Sequence, residues 1–212
     1  MEPSAYSLVR YFSAAIIFLA GAVAIAVSVT VYKDYKTESS LKAEEFDAQQ
    51  ASLDCLADKH CGPSSFHLKL ASELDFGDDK QRELASRLAN RAADIDPNDP
   101  ETWTLIARLE AQNAGGMSPQ ASDALRRSIE LCWVCDNQDL LRERLELVLK
   151  NWDTAPEDVR IAAFEGAELL RWKYQDEDFL TAQDDFAVLK NIPFDAYIKQ
   201  MAAPMKPDER VP

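Results

Sequence analysis

Glycine and histidine are scarce in this chain of 212 residues, which has only 6 glycines and 2 histidines. It has no glycine-rich loop that could hold a phosphate group, and no serine stands in a Gly-x-Ser-x-Gly turn. Paired carboxylates such as Asp184 and Asp185 are common, and in so acidic a chain we interpret them as solvated surface. The sequence therefore predicts a protein that is not an enzyme and that holds no cofactor and no metal.

Positive charge is also in short supply, with 23 lysines and arginines against 37 aspartates and glutamates, a net charge of −14. An acidic surface repels phosphate backbones, and the chain has no basic stripe with interleaved aromatic residues. We therefore expect no nucleic-acid partner. The first 32 residues carry only Glu2 and Arg10, so the excess negative charge belongs to the rest of the chain, where it favours solubility.

Good helix formers are abundant instead. Apolar residues make up 47% of the chain, as in a globular protein. Alanine, leucine, glutamate, arginine and glutamine fill most of the remainder, and runs of β-branched residues are few outside the N-terminal region. The composition predicts an all-α fold.

An uncharged run of 22 residues, 11–32, lies near the N-terminus between Arg10 and Lys33. As a helix it spans about 33 Å, enough to cross a hydrocarbon core of roughly 30 Å. A cleaved signal peptide would have a shorter apolar run and a small-residue cleavage site, whereas KDYKTE follows this run. We predict one transmembrane helix in contact with the lipid bilayer, with Gly21 and Ala22 allowing close packing against another membrane helix.

Two signals bear on the orientation of this anchor, and they disagree. Three lysines lie within ten residues after the run, against Arg10 and the free amino group before it, so the positive charges do not favour export of the C-terminal part. Long domains can translocate despite such charges, and an even number of cysteines is typical of an exported domain. We predict a single-pass protein of the inner membrane with its C-terminal domain on the periplasmic side.

Proline and glycine divide the rest of the chain, most clearly at HCGPSS, DPNDP and NAGGMSP. We predict an N-terminal tail at 1–10, the transmembrane helix at 11–32, a helical stalk at 33–62, a helical domain at 63–203 and a flexible tail at 204–212. The spacing of apolar residues predicts helices over 33–59, 66–74, 80–95, 101–112, 121–133, 140–152, 156–174 and 179–190.

The stretch LANRAADIDPNDPETWTLIARL resembles the junction between two tetratricopeptide repeats. The residues that match the second helix of one repeat and its exit are Ala85, Ala89, Ala92, Ile95 and Pro97. Those that match the two helices of the next repeat are Trp103, Ile106, Ala107, Ala121, Leu125, Ser128 and Ile129. The resemblance covers about 80–133 and departs from the pattern at Glu110, where an aromatic residue is usual, and after Leu131, where no proline follows.

This resemblance implies a TPR-like domain of antiparallel helix pairs that offers a groove to a peptide or another protein. About three repeats are needed for a stable array, so we expect divergent helices to complete the stack. The candidate partner-binding residues surround the expected concave side, with Trp133 near its edge: Trp103, Ile106, Glu110, Arg126 and Arg127. For Trp103 and Ile106 the alternative interpretation is a packed core.

The four cysteines form two close pairs, and we favour the local pairing of Cys55 with Cys61 because a turn separates them. Cys132 and Cys135 could close a second bridge at a helix end. Their spacing also matches a thioredoxin-type redox motif, but that chemistry needs a helix N-terminus. Haem attachment would need a histidine where Asp136 stands. A zinc site from Cys55, His60, Cys61 and His67 is a further alternative.

Two functional hypotheses follow from these features. The first is a membrane-anchored scaffold or accessory subunit that binds membrane protein partners in an envelope complex, such as secretion, pilus or surface-polysaccharide polymerisation machinery. The second is a thiol-disulfide or cytochrome c maturation accessory factor that uses Cys132 and Cys135.

Overall fold

The computed structural model describes residues 47–58, 61–133 and 136–202, and within these ranges the chain is all-helical without a strand, as predicted. A 3-10 turn at Trp152–Thr154 joins the sixth and seventh helices. The helices are α1 (Ala48–Ala57), α2 (Ser64–Ser72), α3 (Asp79–Ile95), α4 (Pro100–Ala114), α5 (Pro119–Leu131), α6 (Gln138–Lys150), α7 (Glu157–Trp172), α8 (Glu177–Leu189) and α9 (Phe194–Ala202).

The predicted anchor at 11–32, with Gly21 and Ala22, lies outside the described residues. The first part of the predicted stalk and the tail at 204–212 also lie outside them. None of the described helices is both long and apolar enough to span a bilayer.

The central helices begin where the sequence supplies a polar cap. A side-chain oxygen of the preceding residue accepts backbone N–H groups of the first turn of α3, α4, α5 and α6; these residues are Asp78, Asp99, Ser118 and Asn137. Helix α4 ends at Gly115, whose φ of +69° is a left-handed conformation that glycine adopts without strain. The predicted helices over 80–95, 101–112, 121–133 and 140–152 correspond to α3–α6.

The helices pack as pairs that stack on one another. The pairs are α2 with α3, α4 with α5 and α6 with α7, and they are joined by contacts of α3 with α4, α4 with α6 and α5 with α7. Small side chains allow the helices of α3–α5 to approach closely. The alanines with no exposed surface there are Ala85, Ala89, Ala92, Ala107 and Ala121.

Helix α1 falls within the predicted stalk and packs against α2 and α3. It begins at Ala48 because Asp47 has an extended backbone and its carboxylate accepts the N–H groups of the first turn. Ser52 and Cys55 are buried, with 0% and 3% of their surface exposed. Residues 48–57 therefore pack as part of the helical domain.

Aromatic side chains fill the C-terminal part of the core. The fully buried ring of Phe164 on α7 lies 6.1, 5.2 and 5.0 Å from those of Trp152, Phe194 and Tyr197. The apolar pattern predicts no helix beyond 190, yet the structure has α9 there. It forms because Phe194 and Ile198, one helical turn apart, are buried where α9 packs against α7 and α8.

Candidate functional site

A groove runs across α2, α4 and α6, the first helices of three successive pairs. It consists of two adjoining depressions of about 390 and 460 Å³. Both are lined by Arg108 of α4 and Glu143 of α6, which form an ion pair with an N–O distance of 3.0 Å. The first depression is also lined by Ser65, Leu68, Ser72, Leu105 and Asp139, and the second by Gln112, Leu147 and Lys150.

One face of α4 forms the middle of the groove. Its lining residues Glu101, Leu105, Arg108 and Gln112 are spaced by four, three and four positions, which returns each to the same side of a helix. Leu105 is buried and belongs to the core cluster, whereas the three polar residues stand around it. The groove therefore combines an apolar floor with charged and amide groups at its rim.

Glu101 is held at one end of this groove. Its Oε1 accepts a hydrogen bond of 2.6 Å from Nδ2 of Asn137, the N-cap residue of α6. Burial, together with the nearby negative charge of Asp99, raises the pKa of Glu101. The Glu101 carboxylate is thus fixed in position across the α4–α6 junction, where a hydrogen-bond donor of a ligand could reach it.

The composition of the groove suits contact with a polypeptide. A groove with an apolar floor and separated charges can hold an extended or helical segment by burying apolar side chains and pairing charged ones. Neither cysteine nor histidine is among the residues that line it. The polar side chains that do line it include Ser65, Lys69 and Ser72.

The predicted binding residues of α4 lie on the opposite face of that helix. Trp103 is half-buried, and its Nε1–H donates to the Pro97 carbonyl oxygen at 3.0 Å. Ile106 is buried and Glu110 is half-buried. Residues 103, 106 and 110 follow one another at helical spacing about half a turn away from the groove stripe, and none of the three lines the groove.

The other predicted binding residues lie on α5 and just after it. Arg126 pairs with Asp158 of α7 at 2.6 Å, a bond that lowers the pKa of that carboxyl. Arg127 is exposed beside Glu130. Trp133 is 52% exposed and donates through Nε1 to Glu165 at 2.9 Å. These three residues form a separate surface over α5 and α7, outside the groove.

A buried arginine joins α5 to α6, and sequence reasoning missed it. Arg144 is 3% exposed and donates to the carbonyl oxygens of Ser128 and Cys132 at 2.6 and 2.8 Å and to the Ser128 hydroxyl. Burial lowers the pKa of its guanidinium to about 10, so it is protonated at neutral pH. The positive charge stabilises the C-terminal end of α5, where unpaired carbonyl groups point.

Cys55 and Cys61 are joined by a disulfide with a Cα–Cα distance of 5.0 Å, as the local pairing predicts. Beside it lies His67 of α2, of which only 1% is exposed. Its Nδ1 is 2.9 Å from the carbonyl oxygen of Pro63. His60, which belongs to the alternative zinc site, lies outside the described residues.

Cys132 caps the C-terminal end of α5 and is also disulfide-bonded, while Cys135 lies outside the described residues. A helix C-terminus carries partial negative charge, which disfavours the thiolate that redox chemistry needs. Asp136 accepts hydrogen bonds from Lys173 and Tyr174, which lower the pKa of its carboxyl.

Comparison with known proteins yields no relative. No protein-family model matches the chain, and no curated protein and no solved structure matches it either.

Proposed function

We propose that this chain is a non-enzymatic scaffold or accessory subunit of a cell-envelope assembly, such as secretion, pilus or surface-polysaccharide polymerisation machinery. In this proposal residues 11–32 hold it in the inner membrane as a single pass, and a TPR-like domain on the periplasmic side binds a membrane protein partner. The observation that carries the proposal is the groove across α2, α4 and α6.

The order of helix contacts supports the TPR-like interpretation. Each pair packs internally, and the stack is continued by contacts between α4 and α6, between α5 and α7, and between α3 and α4. In such a stack the first helices of neighbouring pairs lie side by side and present one continuous surface. The groove lies on that surface, so a partner bound there would contact three pairs at once.

The chemistry of the groove supports a protein ligand rather than a small molecule. Half-buried Leu68 offers apolar surface, and Leu105 and Leu147, each 5% exposed, lie at the floor. Charged groups of both signs stand between them, including Lys69 and Asp139. A groove that presents both apolar and charged residues suits the mixed side chains of a polypeptide segment.

The variant Ser65→Arg/Ser72→Arg tests the groove. Both serines are exposed on α2 and line the groove, and arginine is a good helix former, so two long side chains fill the groove while the core stays intact. We expect a partner that copurifies with the unchanged chain from gently solubilised membranes to be depleted at least about tenfold, or ~1.4 kcal/mol. Quantitative mass spectrometry of the copurified proteins gives the ratio.

Two further variants serve as controls. Gln120→Arg/Thr181→Arg adds two arginines at exposed positions outside the groove and should retain the partner. Arg127→Glu changes the exposed arginine of the α5 surface. If Arg127→Glu releases the partner while the filled groove retains it, the binding site is the α5 surface and the groove assignment fails.

The alternative is a thiol-disulfide or cytochrome c maturation accessory role for Cys132 and Cys135. The position of Cys132 at the end of α5 disfavours it. Replacement of Cys132 by alanine distinguishes a redox role from a structural disulfide. An accessory redox role predicts lost activity with an intact fold. A structural bridge predicts a loss of stability of about 2–5 kcal/mol, measured by chemical unfolding.

A further inference from the structure

We infer that Cys55, Cys61 and His67 form a zinc-binding site when the disulfide between the two cysteines is reduced. One ligand atom from each of the three residues lies within 4.8 Å of the other two. Cys55 and His67 are buried and Cys61 is half-buried. Two thiolates and one imidazole, gathered at this distance and shielded from solvent, are a ligand set that zinc prefers.

The distances need only a small adjustment to hold the metal. Zinc lies about 2.3 Å from sulfur and 2.0–2.1 Å from nitrogen, so the ligand atoms of a tetrahedral site are about 3.5–3.8 Å apart. The two bonded sulfur atoms must therefore move apart after reduction. Cys55 and His67 lie on α1 and α2, whereas Cys61 lies in the connection before α2, next to Gly62. Cys61 can move without displacing a helix.

The hydrogen bond of His67 leaves one ring nitrogen available to a metal. Its Nδ1 lies 2.9 Å from the carbonyl oxygen of Pro63, and because a carbonyl only accepts, Nδ1 carries the proton. The lone pair is therefore on Nε2. Zinc-binding histidines usually donate their other ring N–H to a carbonyl or carboxylate, which fixes the tautomer and the ring. The Pro63 carbonyl fills that role here.

Three protein ligands leave one tetrahedral position for water or a further side chain. His60 directly precedes Cys61 in the sequence. Cys55, Cys61 and His67 make up the proposed site without His60.

Metal binding and the disulfide exclude each other. A dithiol gives two electrons and two protons to the disulfide, which becomes two thiols, and the dithiol closes to its own disulfide. A phosphine gives the two electrons and becomes the phosphine oxide, while water supplies the oxygen atom and the two protons. Zinc ion then binds the two sulfurs as thiolates, together with the neutral imidazole, and the two thiol protons go to solvent. A disulfide oxidant reverses this: it takes two electrons from the two thiolates and becomes two thiols with protons from solvent, and the zinc is released. The site thus binds zinc only under reducing conditions.

The test uses the full chain in detergent, purified with a tag that contains no histidine. After phosphine reduction without oxygen and addition of zinc chloride, a desalted sample should retain one zinc per chain, whereas the oxidised sample should retain none. Cobalt chloride should give the visible absorption of a tetrahedral thiolate complex. Retention of no zinc by the reduced chain overturns the inference.

Alkylation mapped by mass spectrometry locates the metal in the same unmodified protein. Zinc should slow alkylation of Cys55 and Cys61 and leave the rates at Cys132 and Cys135 unchanged, so the second pair is an internal control. Protection of the second pair alone would overturn the assignment.

Two variants then test the ligands. His67→Gln and Cys61→Ser should each weaken zinc binding more than about 100-fold in competition with a chromophoric chelator, which exceeds the usual cost of losing an outer-shell contact. Circular dichroism of the oxidised or untreated variants checks that the helices form. If His67→Gln does not fold, Cys61→Ser decides, because Cys61 lies outside the helices. Unchanged affinity in a folded variant of either kind overturns the inference.

Discussion

The two ends of the helical domain pack by different means. From α3 to α5 the helices meet through alanines with no exposed surface, such as Ala89 and Ala107, so their backbones lie close together. From α7 to α9 they meet through the rings of Trp152, Phe164 and Tyr197. Small residues fix one narrow spacing between helices, whereas large rings fill a wider space.

This difference predicts opposite responses to a change in side-chain volume. Where alanines meet, an added methylene group has no room and should be costly. Where rings meet, a removed ring leaves a cavity that the surrounding helices only partly close. The comparison can therefore be tested by enlarging residues in the first region and truncating them in the second.

The largest effect is expected from Phe164→Ala. The side chain is fully buried and contacts three other aromatic rings, so its removal should lower the free energy of unfolding by about 3–5 kcal/mol. Chemical unfolding followed by circular dichroism measures this. Leu189→Ala, at a position 82% exposed, is the matched truncation and should stay within about 0.5 kcal/mol. Equal effects of the two variants would mean that the aromatic cluster does not hold α9 in place.

A smaller effect is expected from Ala89→Leu. Ala89 has no exposed surface on α3, and extra methylene groups in a well-packed core cost about 1–3 kcal/mol. Ala114→Leu makes the same change at an exposed position near the end of α4 and should leave the unfolding midpoint nearly unchanged. A stable Ala89→Leu protein would show that the interface has spare volume and that close approach is not its basis.

How much the sequence predicts also differs between the two regions. Polar caps such as Asp99 and Asn137 and regular apolar spacing are local signals, so α3–α6 were predictable. Helix α9 was not, because Phe194 and Ile198 gain their burial from α7, which is distant in the chain. The C-terminal helix depends on tertiary contacts that a local pattern does not contain.

The candidate groove was predictable only in part. The repeat-like junction predicts a groove, but on the face of α4 that carries Trp103. The stripe of Glu101, Leu105 and Arg108 has the same helical spacing, and only the positions of α2 and α6 distinguish the two faces. Arg144 was missed because arginine within a helix is usually exposed. The local Cys55–Cys61 pairing needed only the short turn between them.

The smallest effect concerns the ion pair that ties α6 to the start of α8. Arg142 donates to Asp176 at 2.7 Å, and this bond, with a second from Gln138, lowers the pKa of the Asp176 carboxyl. A lowered pKa means that the native state favours the ionised carboxylate. The stabilisation is complete above the pKa of the unfolded chain, about 3.9, and is lost as the pH falls through the lower native value.

We expect Asp176→Asn to lower the free energy of unfolding by about 1–2 kcal/mol at pH 7. The difference from the unchanged protein should shrink as the pH falls below about 4, as measured by urea unfolding across that range. Asp139 is the other carboxylate near Arg142, and its side chain is 84% exposed. Asp139→Asn should therefore change the free energy of unfolding little at either pH. If the difference in the free energy of unfolding persists unchanged at pH 2, Asp176 stabilises the fold by packing rather than by its charge.

Arg144 also bears on how the helical stack can come apart. A stack of helical pairs can open at a junction when each pair retains its own contacts. Here the Ser128 hydroxyl of α5 reaches the Pro100 carbonyl of α4 while Arg144 of α6 holds the same serine. Separation of α6 from α5 would break the hydrogen bonds of the buried Arg144 guanidinium. The carbonyl oxygens of Ser128 and Cys132 would then lose their donor. We therefore expect residues 100–133 and 136–150 to open as a single cooperative unit, with amide hydrogens that exchange together.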